Sequence, residues 1–267
     1  MHRKLVMLFL PVLFVVAACS KPQQKATVLP PVQPGAIKGE PDYGPWSRLL
    51  AKHYDPNRGM NYSALKQDDS KTLNEMREKM ASVDVASLNH DEQFAFWLNY
   101  YNMSVVGKVV DHYPIGSIKD LSTDLVKRLN VFDQKDVRFG NGTMSLNDIE
   151  NSKIREVFKD PRVHFAINCA AKSCPTIRPE PFDGKHVKQQ LDDQVKTFLN
   201  GPKGARVEGG KLHVTKVLDW FKSDFDQAGG RAVFLKKYLS PEKVAVVSDD
   251  SSLVFDDYSW DLNDWKS

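Results

Sequence analysis

The chain reads as an α+β fold, and three observations predict it. Helical periodicity governs residues 46 to 109, strand and turn signals enter only after residue 137, and no internal repeat divides the chain. Helices first, then strands mixed with helices, argue against a doubly wound sheet. The expected architecture is a single domain with a helical N-terminal part. A central core helix would pack on a small mixed or antiparallel sheet.

Trp46, Leu49, Leu50 and His53 follow the i, i+3, i+4, i+7 spacing of a first short helix. Leu73, Met76 and Met80 predict a second. The strongest helix begins at Asn89, with Asp91 and Glu92 in its first turn, where the helix dipole favours acids. Asn89 and Glu92 have capping-box spacing. Phe94, Trp97, Leu98, Tyr101, Val105 and Val109 then line one face until Pro114 stops it. Asn141-Gly142 predicts a hairpin over residues 138–144. Asn147, with Glu150 three residues on, predicts a capped helix ending before Asp160-Pro161. Val187, Leu191, Val195, Phe198 and Leu199 mark another helix, closed by Gly201-Pro202. Gly209-Gly210 centres a hairpin over residues 207–214. Val217, Trp220, Phe221 and Phe225 predict one more helix, residues 235–239 a further one, and residues 244–247 a short strand.

The first residues read as a targeting segment. His2, Arg3 and Lys4 precede an apolar run of about 14 residues, short of the roughly 20 that span a bilayer. The run closes on Val16-Ala17-Ala18-Cys19, which resembles a bacterial lipobox. That resemblance implies a signal peptide over residues 1–18 and lipidation, including palmitate, at Cys19. Ser20 in the next position implies the outer membrane. Five prolines between residues 20 and 43 predict a lipid-anchored tether over 19–43, leaving 44–267 as one globular domain. The formal charge is +3, and lysines and arginines are scattered without a basic stripe, so nucleic acid is excluded as a partner class. The expected partners are the membrane, through the anchor, and an envelope peptide or protein. The expected location is the outer membrane, facing the periplasm.

Residues 163–175 read VHFAINCAAKSCP. Apolar and polar positions alternate, predicting a half-buried strand with His164 and Asn168 on one face. A turn then holds Cys169 and Cys174, the two cysteines besides Cys19. Several stretches together, FWLNYYN at 96–102, YPI at 113–115, SLNDIE at 145–150, DPRVHFA at 160–166, NCAAKSCP at 168–175 and YSWDLN at 258–263, resemble the family called domain of unknown function 547. The resemblance runs from about residue 89 to the end. The family pattern carries a histidine where this chain has Asn151. It implies a bacterial envelope protein without an agreed activity. Eukaryotic relatives joined to glutaredoxin-like or zipper segments hint at thiol chemistry.

Two thiols beside a histidine leave several chemistries open. One is a cysteine-dependent hydrolase or acyl transferase acting on an amide or peptide, with a papain-like or transglutaminase-like site. Cys174, before Pro175, would gain from a helix N-terminus, and Cys169 from nearby Lys172. His164 would be the base, oriented by Glu150 or Asn168. A second is a non-enzymatic envelope-binding or assembly module stapled by a Cys169–Cys174 disulfide. A third is a periplasmic thiol-redox factor. Metal held by His164, Cys169 and Cys174 matches no zinc spacing, and no cofactor is expected. Asn99 and Asn102 share a helix face, where they would bind a substrate carbonyl or buttress a loop.

Overall fold

The computed structural model describes residues 36–122 and 130–265. The signal segment, Cys19 and the tether up to residue 35 lie outside the described residues. The end of the expected tether does not run free. Ile37 bridges Val83 in parallel, its N–H bonding the Ser82 carbonyl at 3.0 Å and its carbonyl accepting from Asp84 at 2.8 Å. Tyr43 is buried, so the folded region takes in residues 37–43.

Helix α1 (Gly44–His53) buries Trp46, Leu49, Leu50 and His53, the four residues its periodicity marked. Strands β1 (Tyr54–Asp55) and β2 (Gly59–Met60) form a short antiparallel ladder. Helix α2 (Tyr62–Asp68) is capped by the Asn61 side chain, and α3 (Ser70–Ala81) buries Leu73, Met76 and Met80. Helix α4 (His90–His112) is the centre of the molecule. Its capping box forms as expected: the Asn89 side chain accepts from the Asp91 and Glu92 N–H groups, and Glu92 accepts from the Asn89 N–H. Its burial is not one-sided, however. Every residue from Phe94 to Val110 is buried, the mark of a helix enclosed by other elements.

Strands β3 (Val137–Phe139) and β4 (Gly142–Met144) form the expected hairpin, turned one residue early. Gly140, at φ 57°, takes the left-handed position that glycine adopts without strain. Phe139 packs against Phe96, Trp97 and Tyr100, so the central helix does meet a small antiparallel element. Residues Asp148–Arg155 then form a wide helix, the Glu156 N–H reaching back five residues to the Asn151 carbonyl, and α5 (Glu156–Phe158) continues it. The predicted Asn147–Glu150 cap is absent there. Asn147 bonds Asp133, while Ser145 and Asp148 cap each other.

Helix α6 (Val187–Asn200) joins two hydrophobic clusters. Val187 and Leu191 belong to the one built on α1 to α4, whereas Val195, Phe198 and Leu199 belong to the second. The second contains β5 (Ala205–Glu208) and β6 (Lys211–Val214), paired through Gly209 and Gly210 at positive φ. Helices α7 (Val217–Trp220) and α8 (Lys222–Gln227) replace the single helix expected there, followed by α9 (Arg231–Tyr238). The strand expected at residues 244–247 is instead α10 (Pro241–Val244) and a turn. The third strand is β7 (Leu253–Phe255), parallel to β6. The fold is α+β. No described helix is long and apolar enough to cross a membrane.

Candidate active site

The segment read as a strand is a 3-10 helix, Pro161–Phe165. Asp160 caps it by accepting from the Arg162 N–H at 3.0 Å, and Pro161 supplies a helix-ready φ at its first position. His164 and Asn168 therefore do not share a strand face; both are buried, at 2% and 1% exposure. The Asn168 side chain accepts from the Ala170 N–H (2.8 Å) and donates to the Pro175 carbonyl (2.6 Å), closing the loop that carries both cysteines. It shapes the loop rather than orienting His164. Ala170 sits at φ 62°, a left-handed conformation rare for a residue with a Cβ. The loop is held from outside by the C-terminal segment, through Asn263 N–H to the Ala170 carbonyl (2.9 Å) and Lys172 N–H to the Asp261 carbonyl (2.8 Å).

No helix follows Cys174. Residues 175–186 are irregular, so the expected helix N-terminus does not exist. Lys172 points to Asp261, 3.3 Å away on the surface. What the loop does is bring the two thiols together: Cys169 Sγ and Cys174 Sγ lie 2.7 Å apart, both free, and the Cys169 N–H donates to Cys174 Sγ at 2.9 Å. The Tyr258 hydroxyl is 3.0 Å from Cys169 Sγ. Burial opposes a thiolate at Cys169. Hydrogen bonds from the Cys174 thiol, the Tyr258 hydroxyl and the Ala171 backbone outweigh it and pull the thiol below its ordinary range. Cys174 moves the opposite way, raised by burial and by the neighbouring sulfur. Cys169, half-buried, is thus the more readily ionised of the two thiols, with Cys174 as its protonated partner.

His164 is oriented by Asp224, which sequence reasoning missed. The imidazole Nε2 lies 2.8 Å from Asp224 Oδ2, and Arg155 grips the same carboxylate through Nε (2.7 Å) and Nη2 (2.9 Å). Despite partial burial, these bonds hold Asp224 far below the usual carboxylate range. Being ionised, it only accepts, so Nε2 carries the proton and Nδ1 keeps its lone pair. Nδ1 is buried without a hydrogen-bond partner. Burial, only partly countered by Asp224, lowers the His164 pKa and keeps the ring neutral at pH 7. The ring stacks on Phe221 at 3.8 Å.

His164, Cys169 and Cys174 line one cavity of about 390 Å³, with Glu150, Asn151 and Arg155 on one wall. Trp220, Tyr258 and Trp260 form another, their rings 4.6 to 6.0 Å apart. Glu150 is a wall residue rather than the orienter of His164. Burial, with a smaller opposing pull from Arg155 and Tyr101, pushes its carboxyl up to about 7. Asn99 and Asn102 do not reach this cavity. Asn99 donates to and accepts from the Phe182 backbone, and Asn102 bonds the Ala166 carbonyl (2.9 Å) and the Asn168 N–H (2.9 Å). Both are buttresses. Among the described residues, no three His, Cys, Asp or Glu side chains are grouped to hold a metal.

Residues 85–199 match the family model described as Protein of unknown function, DUF547. Over that stretch the chain belongs to the DUF547 family. The match contains Glu150, His164, Cys169 and Cys174 but ends before Trp220, Tyr258 and Trp260, which complete the cavity, and before Asp224, which orients His164 from behind. No curated protein and no solved structure matches the chain. Tyr258 lay in a motif visible in the sequence; Asp224, 60 residues from His164, carried no local signal.

Proposed function

We propose that this DUF547 protein is a thiol-dependent acyl-transfer enzyme, cleaving or exchanging an amide, anchored through Cys19 to the outer membrane and facing the periplasm. The observation that carries the reading is one cavity lined by a thiol with three hydrogen-bond donors around its sulfur and by a histidine whose Nε2 is bonded to an ionised aspartate while its Nδ1 has no hydrogen-bond partner. Cys169 gives its proton to His164 Nδ1, and the sulfur attacks the substrate carbonyl carbon. The Tyr258 hydroxyl, next to the sulfur, donates to the oxygen that becomes negative. Imidazolium returns the proton to the leaving amine, leaving a thioester at Cys169. Water or a second amine then takes the acyl group and restores the thiol. Asp224 holds the imidazole and stabilises its charged form, while Arg155 holds Asp224. Aromatic walls suit a substrate with an apolar body.

A second reading is thiol–disulfide exchange, favoured by two sulfurs 2.7 Å apart with unequal acidity. Mapping iodoacetamide alkylation on the unreduced mature protein separates the two. Acyl transfer expects Cys169 to react fast at pH 7 and His164→Ala to slow it tenfold or more. A native Cys169–Cys174 disulfide that opens and recloses with a dithiol reagent would select the redox reading. A disulfide inert to mild reductant would select a structural staple and a binding module.

A further inference from the structure

The cavity beside Cys169 contains an ionisable group that the thiol mechanism leaves idle. Glu150 is 9% exposed and projects from the wide helix Asp148–Arg155 into the cavity wall, next to Tyr101. Arg155 is on the same wall, with Nε and Nη2 bonded to Asp224 and Nη1 to Asn151. Aromatic rings complete the enclosure: Tyr101, Phe132, Trp220, Phe221, Tyr258 and Trp260. Ring faces carry negative potential and attract ammonium groups, most strongly where water is scarce. This protein already shows such contacts, with Lys119 Nζ 3.8 Å from the Trp260 ring centre and Lys237 Nζ 4.8 Å from that of Tyr238.

We propose that the cavity binds a primary alkylammonium group, with Glu150 as its counter-ion and the Trp220–Tyr258–Trp260 wall around its alkyl stem. For the acyl transfer proposed above, on which this purpose rests, the site selects an amine-bearing substrate: a lysine-like side chain or a diamine. A neutral alcohol of the same length gains the apolar contacts only. A carboxylate ligand meets Glu150 and is repelled.

Glu150 must be ionised to serve as counter-ion, which sets the sign of the pH dependence. With its pKa pushed up to about 7, the carboxyl is mostly neutral at pH 6 and mostly charged at pH 8. The other titratable groups around it are Arg155, positive throughout; Asp224, ionised throughout; His164, which burial shifts toward its neutral form; Cys174, Tyr101 and Tyr258, which burial keeps protonated; and Cys169, whose own ionisation is removed in a Cys169→Ser variant. Lys119 stands at the Trp260 ring. Affinity for an ammonium therefore rises with pH.

The test is titration of the protein with n-butylammonium chloride, with 1-butanol as the uncharged probe, read by quenching of tryptophan fluorescence. In the Cys169→Ser background, butylammonium affinity should rise about tenfold from pH 6 to pH 8. It should exceed that of butanol and fall tenfold or more in Glu150→Gln. Trp220→Ala, at a half-exposed position, should weaken it severalfold. Equal binding of butanol and butylammonium, or unchanged binding in Glu150→Gln, overturns the proposal. Iodoacetamide labelling of the parent protein keeps the two readings apart. A reactive Cys169 without butylammonium binding refutes only the cation site, and binding with an inert Cys169 refutes only the acyl-transfer reading.

Discussion

A buried thiol ionises at neutral pH only when hydrogen-bond donors outweigh its loss of water, and at Cys169 three do. Of these the Tyr258 hydroxyl can be removed without moving the ring, which is wedged between Trp220 (4.6 Å) and Trp260 (5.0 Å). Tyr258→Phe should therefore leave the melting temperature close to that of the parent and raise the Cys169 pKa, so that alkylation at pH 7 slows. Acylation by p-nitrophenyl acetate should slow a further tenfold or more. Acylation develops an oxyanion that needs the hydroxyl, and alkylation does not. Equal slowing of the two reactions would remove Tyr258 from the oxyanion role and leave it as a thiolate donor only. The tyrosine titrates far above its ordinary range, through burial and the adjacent sulfurs, so it remains a donor throughout this experiment.

At the scale of elements, helices α1, α3, α4 and α6 and the β3–β4 and β5–β6 hairpins were legible, because each carries its own punctuation: caps, glycine turns and apolar periods longer than one turn. The 163–168 segment misled because alternation of apolar and polar letters signals a strand only if the polar residues reach water. Here His164 and Asn168 are as buried as Val163 and Phe165, since Asp224 satisfies one and the cysteine loop the other. Those partners lie elsewhere in the chain and leave no local trace. Asn99 and Asn102 show the same limit. Their three-residue spacing placed them on one helix face, yet whether that face met a ligand or a backbone depended on distant loops. Asn102 now makes a specific expectation. Asn102→Ala leaves the Ala166 carbonyl and the Asn168 N–H unpaired in a dry interior, a loss of roughly 2–4 kcal/mol. Urea denaturation should show that drop. Cys169 alkylation should slow as well, because the same two bonds fix the start of the cysteine loop. A loss of stability with unchanged alkylation would show the loop to be held by its other contacts alone.

The whole molecule converges on the cysteine loop from both ends of the described chain. The segment around residues 258–265 lies between the early helices and the loop. Met60 N–H bonds the Asn263 carbonyl (2.9 Å), Trp265 N–H bonds the Met60 carbonyl (3.1 Å), and Leu262 bridges Ala171. The Asn263 side chain sits at the junction, accepting from the buried Tyr62 hydroxyl at 2.9 Å and donating to Asn168 Oδ1 at 3.3 Å. Gly59, at φ 107°, approaches so near that a Cβ there would stand 2.0 Å from the Asn263 carbonyl oxygen. The matched family stretch, ending at residue 199, thus depends on later residues for its orienting aspartate, its aromatic wall and the strap over its thiols. Asn263→Ala keeps the backbone bonds and removes only the side-chain ones. It strands the Tyr62 hydroxyl, fully buried, at an expected cost of about 1–3 kcal/mol. If the strap positions the loop, thermal melting should drop, and amide exchange at residues 168–172 should quicken more than in α6. Tyr62→Phe combined with Asn263→Ala should recover part of the stability, because the stranded hydroxyl is gone, without restoring slow exchange in the loop. Full recovery of both would assign the residue to core packing and leave the loop to Asn102 and Asn168.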